Sequence, residues 1–597
     1  MTLAPLALPA ADGYLSWLAE RCDTHLALAR ELIASIKSGP GSAYQALRTW
    51  NDVNLAIKNV LAVSELMANV HPDEPVRELA ERAEQDAKRL LSEIGLDRDL
   101  YDVLAAADSG QVDEGGRRVL EMSLRDFRRA GVDRDEATRE RAGQLHERIT
   151  ELRQEFDRNI RDGHRSIRVA PDALAGLPQD YIEDHLKGDD GLVAIGIDYP
   201  DFIPMMTFAT DRDLRRKVLR LFLDRGWPEN DPVLAEMLGA RQELARLLGY
   251  SDWPSFDAEV KMISAGPAIL EFIDRISEVA GPSARRDYQL KLDRLQHDHP
   301  DATTVEHTDR LFYGEVVRRE EYDVDAQEVR QYFDFAKVRA GLLSVTGRLF
   351  GLVYDEVPDA PRWHDDVAVY DVRADEGLIG RIYLDLNPRP GKYSHAAQFD
   401  LVPGVAGRQL AEGVLVCNLP RGLMDHDDVV VLFHEFGHLV HQVLSGRHEW
   451  VRFSGIATEW DFIEAPSMML EEWAWTAEVL QTFATNAAGE PIPGALVERM
   501  HAASDFGRGL WTRTQLFYSA MSYRLHQDVP EDLAVAMEEL QGRYDQYAAL
   551  PGTHLHAGFG HLGDYSSGYY TYIWSLVIAK DLFSEFDRAD LFATEVA

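Results

Sequence analysis

The residues His434-Glu435-Phe436-Gly437-His438 have a spacing that can do chemistry. On an α-helix, residues four apart share a face, so both imidazoles can reach one metal ion while Glu435 projects beside them as a base. A zinc ion held this way keeps a position for water, and the chemistry that follows is hydrolysis of an amide. The same pattern also arises by chance, as two hydrogen-bonded core histidines, so the flanking residues have to decide. Asp425, Asp427 and Asp428 offer an N-cap and negative charge for a helix start, Val429 to Phe433 is an apolar run, and Gly446 is a stop. These signals predict one buried helix between them, in which two histidines and a glutamate are costly without a partner.

A catalytic zinc site takes three protein donors and leaves the fourth position open, so a third ligand should follow. Glu464 stands in Trp460-Asp461-Phe462-Ile463-Glu464-Ala465-Pro466-Ser467, where Pro466 suits the first turn of a second helix continuing through Met468 to Trp473. The segment from Arg447 to Thr458 is long enough to turn the chain back. Glu459, Asp461, Glu471 and Glu472 compete for the role, and spacing alone hardly separates them. Glu471, seven residues beyond Glu464, is expected on the same helix face, where it can orient a ligand from behind.

A third cluster, Phe559 to Trp574, sets His561, Tyr565, Tyr569, Tyr570 and Tyr572 among Gly560, Gly563 and Gly568. Glycines permit a mobile backbone with unusual dihedrals, while phenols and an imidazole can donate to the oxyanion of a tetrahedral intermediate. An aromatic helix face packed in the core is the competing reading of Tyr569 to Trp574.

These blocks resemble the M3 zinc metallopeptidases, the group of thimet oligopeptidase, neurolysin and the oligoendopeptidases. The resemblance rests on Phe433 to His438 with His441-Gln442 after it, on Asp461 to Ser467, and on Phe559-Gly560-His561 followed by Tyr565, Tyr569-Tyr570 and Tyr572-Ile573-Trp574. Tyr383-Leu384-Asp385-Leu386 leading to Gly391-Lys392-Tyr393-Ser394-His395-Ala396-Ala397 is similar too, as is Trp363-His364 with Asp366-Val367. The resemblance implies a mainly α, two-lobed helical zincin-type fold with a deep substrate channel and a small β-sheet beside the active site. It implies one Zn²⁺ per chain on His434, His438 and Glu464, with Glu435 as general base on the bound water. It also implies that His561, Tyr565 and Tyr572 come from a glycine-containing loop that closes over substrate and stabilises the scissile carbonyl. Tyr569, Gly563 and Gly568 belong to the same block and are expected at the substrate.

Two features depart from the family pattern. Asp564 stands where many relatives carry glycine, in a loop one residue shorter than in thimet-type members, and is expected to stiffen it and add negative charge near the oxyanion. The chain also stops at Ala597, where relatives continue with a further helical segment.

With 597 residues the chain exceeds the usual size of one core. Its 45% hydrophobic and 27% charged content is that of a globular protein. Lys and Arg number 62 against 101 Asp and Glu, a formal net charge of −39, which should repel nucleic acid and anionic membranes. Cys22 and Cys417 are too few for a disulfide framework and fit a reducing compartment, so a cytoplasmic location is expected. Residues 1–10 lack a positive n-region and read as a disordered leader.

Helical periodicity marks Tyr44 to Met67, Val76 to Ile94, Ala137 to Arg161, Asp211 to Leu248 and Pro267 to Leu295. Gly and Pro from 163 to 191 suggest a boundary, giving a helical N-terminal lobe over 1–190 and a catalytic region over 191–597. One β-rich interval runs from Val367 to Leu386 and is expected beside the site, either as a strand template for substrate backbone or as a purely structural sheet. The function expected is a zinc-dependent oligopeptidase that cuts internal bonds of short unstructured peptides, as a monomer or weak homo-oligomer. A zinc amidase with one dedicated small peptide substrate, or a lapsed homologue that only binds peptide, are the alternatives.

Overall fold

Where an apolar stripe and a cap coincide in the sequence, the computed structural model forms a helix; it describes residues 3–592 apart from 40, 109, 111, 164, 186, 394 and 588–590. Met1 and Thr2 of the expected leader, Ser394 of the stretch leading to Ala397, and the last residues of the chain lie outside the described residues. Two compact units emerge, one of residues 1–139, 326–497 and 575–597, the other of 140–325 and 498–574. The expected boundary at 190 falls inside the second unit. There the glycine- and proline-rich stretch links β1 (Ser166–Val169) to its antiparallel partner β2 (Val193–Gly196).

In the first unit the helix Ala43–Val70 starts at a capping box, in which Ser42 N donates to Gln45 Oε1 at 2.9 Å and Gln45 N to Ser42 Oγ at 3.3 Å. Its buried Val53, Ile57, Val60 and Val63 follow helical spacing and share one core with Val369, Tyr383, Val414 and Val416 of a sheet. Leu8 is buried in that core, and Leu6 N donates to the Glu412 carboxylate. Residues 3–10 are thus packed, not the disordered leader expected, because two apolar side chains and a buried acceptor hold them.

That sheet has the order β3-β4-β5-β7-β6, with β3 Val353–Glu356, β4 Ala368–Ala374, β5 Gly377–Asp385, β6 Ala397–Val402 and β7 Ala411–Val416. The β5–β7 pair is parallel, the other pairs are antiparallel, and β6 is an edge. The β interval expected from the sequence covers only β4 and β5. β7 escaped notice because every one of its residues is buried, which removes the polar-apolar alternation of a half-exposed strand.

In the second unit the long helices Gly266–Asp298 and Arg508–Gln527 pack together. The helical stretch expected from 211 to 248 comprises two helices, Arg212–Leu223 and Asn230–Leu247, parted by a turn that holds Pro228.

Beyond the end of β5, Asp385 anchors the return of the chain. It is fully buried and accepts from Arg389 through both carboxylate oxygens at 2.5 and 2.7 Å and from Trp363 Nε1 at 2.9 Å, with Lys392 Nζ 3.0 Å away. Lys392 Nζ also donates to the carbonyls of Asp385, Asn387 and Cys417, so the resembling stretches around Trp363, Asp385 and Lys392 form one buried network. Asp385→Ala would strand two buried cations and should cost about 3–5 kcal/mol. The urea midpoint of the variant against the parent chain measures it.

Candidate active site

The helix His426–Ser445 carries the His-Glu-Phe-Gly-His motif and starts as expected, with Asp425 N donating to Asp428 Oδ2 at 3.1 Å. Val429, Leu432, Phe436, Leu439 and Val443 are buried. Glycines let neighbours pack closely against it on two sides. A Cβ on Gly413 of β7 would lie 2.7 Å from Leu439 Cδ1, and one on Gly380 of β5 would lie 2.8 Å from Val443 Cγ1. On the other side, a Cβ on Gly437 would lie 2.7 Å from Ser467 Cα, so only glycine lets the short helix Ala465–Glu471 pack this close.

Glu464, at the N-cap of that short helix, places Oε2 3.1 Å from His434 Nε2 and 3.2 Å from His438 Nε2. Ser467 Oγ donates to the Glu464 carbonyl at 2.9 Å and reaches its Oε2 at 3.3 Å, which steadies the carboxylate. Glu471 lies 2.7 Å from His434 Nδ1, so the other nitrogen, Nε2, is the one that faces Glu464. Of the competing carboxylates, Glu459 lies 3.6 Å from Arg118 and Glu472 pairs with Lys580. Among the described residues, His434, His438 and Glu464 are the group whose donor atoms converge as a metal site requires.

Glu464 Oε2 lies about 3 Å from both imidazole nitrogens, and the three ligand atoms all lie within 4.8 Å of one another. In a tetrahedral zinc site, with metal–ligand distances of about 2.0–2.2 Å, donors lie roughly 3.3–3.5 Å from each other, so this set fits Zn²⁺. Burial opposes charge on both partners, yet their mutual bonds hold the Glu464 carboxyl well below the usual range and raise the His434 imidazole. Glu435 behaves differently. Burial pushes its carboxyl upward, against the opposing pull of His434, His438 and the Gln398 backbone amide on edge strand β6. A carboxyl raised in this way is a better proton acceptor than an exposed one.

His561, Tyr565, Tyr569 and Tyr572 gather in the second unit. The His561 ring lies 5.3, 4.9 and 6.1 Å from the rings of Tyr565, Tyr569 and Tyr572, and Tyr565 stacks on Tyr572. Tyr569 Oη donates to Gln515 Oε1 at 2.9 Å. Burial lowers the His561 imidazole, which keeps it neutral at physiological pH. Gly560, Gly563 and Gly568 have ordinary backbone angles, and the residue in the left-handed region is Ser566, at φ 49°. The glycines serve close packing instead: a Cβ on Gly568 would lie 2.7 Å from Lys261 Nζ, and one on Gly563 would lie 3.3 Å from Arg153 Cγ. Asp564 ends a helical turn, His561–Asp564, and pairs with Arg153 at 2.9 Å, so the loop's added negative charge is matched.

Two residues that the sequence reading missed hold this loop. Arg241, 3% exposed, donates to the carbonyls of Leu562 and Gly563 at 2.6 and 2.5 Å. Asp257 Oδ2 accepts from Ser567 Oγ at 2.6 Å and from Lys261 at 2.8 Å. The available signal was a charged residue inside an apolar stripe: Arg241 follows Leu234, Met237 and Leu238 at helical spacing, and all four are buried.

Comparison with known proteins agrees with this arrangement. The model of Peptidase family M3 matches residues 205–596. A thimet-like oligopeptidase of Dictyostelium discoideum is 29% identical, over 90% of this chain and 85% of its own length. Oligopeptidase A of Salmonella typhimurium is 30% identical, over 80% and 75%, and saccharolysin of Saccharomyces cerevisiae is 28% identical, over 87% and 78%. A crystal structure described as an oligoendopeptidase F shares the fold, with a TM-score of 0.60 at 13% identity over 96% of this chain and 89% of that one.

The contacts behind the metal-binding set are testable. Glu471→Gln should weaken zinc binding about 10–100-fold. Gly437→Ala, which drives a methyl group into the Ser467 backbone, should weaken it further and lower the unfolding temperature. Competition with a chromophoric chelator and a thermal melt read both.

Proposed function

Because this chain belongs to peptidase family M3 and is a peptide-hydrolysing metalloendopeptidase, we propose that it is a zinc-dependent oligopeptidase that cuts internal bonds of short, unstructured peptides. The observation that carries this reading is the convergence of His434, His438 and Glu464, with Glu435 beside them and Glu471 behind His434. A zinc ion bound there would polarise a carbonyl and bring the pKa of water toward ~7.

The proposed roles of the chain's own groups follow from their surroundings. Glu435 takes the proton of the attacking water and returns it to the leaving amine, a task suited to a carboxyl raised by burial. His434 and His438 would hold the ion with Glu464, and Glu471, accepting from His434 Nδ1, orients that ring. Edge strand β6, whose Gln398 amide faces Glu435, offers backbone groups that an extended peptide can pair with as an added strand. For neutral His561 and for Tyr565 and Tyr572 we propose donation to the substrate carbonyl. Tyr569, whose hydroxyl is engaged by Gln515, is assigned to packing against the peptide, and Gly563 and Gly568 to shaping the loop.

Two buried, unpaired cysteines suit a reducing compartment, in which we place the protein as a cytoplasmic enzyme. Among the described residues no helix is long and apolar enough to cross a membrane. Its partners in this reading are peptides, and its high negative charge disfavours nucleic acid.

Digestion of a peptide set graded in length, with one folded protein included, should give internal cuts in the short peptides only. A chelator should abolish them and added zinc restore them, as mass spectrometry can follow. Glu435→Gln should keep the metal and lose turnover by about 10²–10⁴-fold; a variant that retains turnover would sink the proposed base.

A further inference from the structure

Within the tyrosine block a tight turn runs from Tyr565 to Gly568, closed by Gly568 N donating to Tyr565 O at 2.7 Å. Its second residue, Ser566, has φ 49°, a value that turns ordinarily give to glycine or asparagine. Ser566 is buried and carries a Cβ, so this backbone is strained and has to be held by its surroundings. The turn also decides how the flanking phenols are aimed, because Tyr565 enters it and Tyr569 leaves it. Tyr565 stacks on Tyr572, with ring centroids 5.3 Å apart.

The holding groups come from the short helix Trp253–Ala258 and the residues just after it. Trp253 Nε1 donates to Ser566 Oγ at 3.1 Å, and Ser566 Oγ donates to Asp257 Oδ2 at 3.3 Å. The same Asp257 oxygen accepts from Ser567 Oγ at 2.6 Å and from Lys261 Nζ at 2.8 Å. Burial opposes charge on Asp257, yet Lys261 and Ser567 hold its carboxyl below the usual range. Lys261, 8% exposed, lies against Gly568, where a Cβ would be 2.7 Å from its Nζ. Ser522 closes the opposite side, donating to Ser566 O at 2.6 Å and accepting from Tyr569 N at 3.3 Å. Each residue from Ser566 to Tyr569 is therefore in contact with a side chain that fixes it, and none of these contacts is made by a peptide.

We propose that Asp257 and Lys261 are positioning residues: as one buried ion pair they hold Ser566 in its left-handed conformation, so that Tyr565 and Tyr569 are preset and the turn does not rearrange when a peptide binds. A glycine-containing loop was expected to close over substrate, but the strained residue here is a clamped serine and the glycines lie outside the left-handed region. The kinetic consequence rests on the peptidase reading above; the preset turn does not.

Hydrogen exchange of zinc-loaded Glu435→Gln, followed by mass spectrometry over residues 562–572, tests the turn. The Gly568 and Tyr569 amides should exchange slowly in the free protein and be unchanged by an excess of the short peptide that the parent chain cuts fastest. Fast exchange in the free protein that slows about tenfold or more with peptide would overturn the preset turn. In Ser567→Ala and Asp257→Asn these amides should exchange about tenfold faster, and kcat should fall about tenfold or more with KM within about twofold. Ser567→Ala removes one hydroxyl and leaves the ion pair, so it carries the test should Asp257→Asn, which strands Lys261, fail to fold. A folded Ser567→Ala chain with parental exchange and kcat, or a fall in kcat that only follows lost zinc or lost folded protein, would overturn the positioning role and leave the peptidase reading intact. A parent chain that cuts no peptide, with these amides slow in it and fast in Ser567→Ala, would keep the preset turn and overturn the peptidase reading.

Discussion

Bringing one carboxylate to about 3 Å from each of two imidazoles is the constraint on which the first unit is organised. The donors sit on two separate helices, so their distance is set by how close the helix backbones come. Gly437 sets that distance: with no Cβ, it lets Ser467 Cα approach where a methyl group would collide. Gly380 and Gly413 do the same on the sheet side, against Val443 and Leu439. The motif helix is therefore held closely on two sides, by the Ser467 backbone at Gly437 and by its own Leu439 and Val443 side chains seated on the glycines of the sheet, and its histidines inherit that precision.

The tyrosine block solves a different problem. A turn that presents an imidazole and several phenols needs to be ordered without regular secondary structure to satisfy its carbonyls. Arg241 supplies those donors from a buried helix face, and Asp257 gathers the serine hydroxyls on the other flank. Ser522 completes the frame, donating to Ser566 O and accepting from Tyr569 N. Burying a guanidinium is costly, and its recovery through two carbonyls makes the loop's shape depend on a residue more than 300 positions away in sequence. Glycine in this loop buys close packing, and donors fixed in advance need less reorganisation at the moment of reaction.

What could be read from the sequence divides along that line. The motif helix and its Asp start were legible because their signals are local, and Glu471 behind His434 followed from a seven-residue spacing. Glu464 was separated from Glu459, Asp461 and Glu472 by the family resemblance, since spacing hardly distinguished them. The resemblance also carried the family and its mainly helical fold. β6 and β7 were not legible: a strand buried on both faces has no alternation, and the edge that matters is defined by pairing to β7. The packing of Leu6 against Glu412 joins residues 406 apart, beyond any window of periodicity. Arg241 left a trace, as a charge within an apolar stripe, but only its carbonyl partners show what it holds.

The proposed preference for unstructured peptides follows from the edge of the sheet. A chain that adds to β6 must present consecutive unpaired N–H and C=O groups, as an extended peptide does. A folded protein has spent those groups on its own helices and sheets, and freeing several residues means local unfolding at a cost drawn from its whole stability. The Gln398 amide that would open this ladder faces Glu435, so the same strand end that aligns a backbone also neighbours the base. Selection against folded substrates then needs no gate: it is contained in the requirement that the substrate supply the next strand.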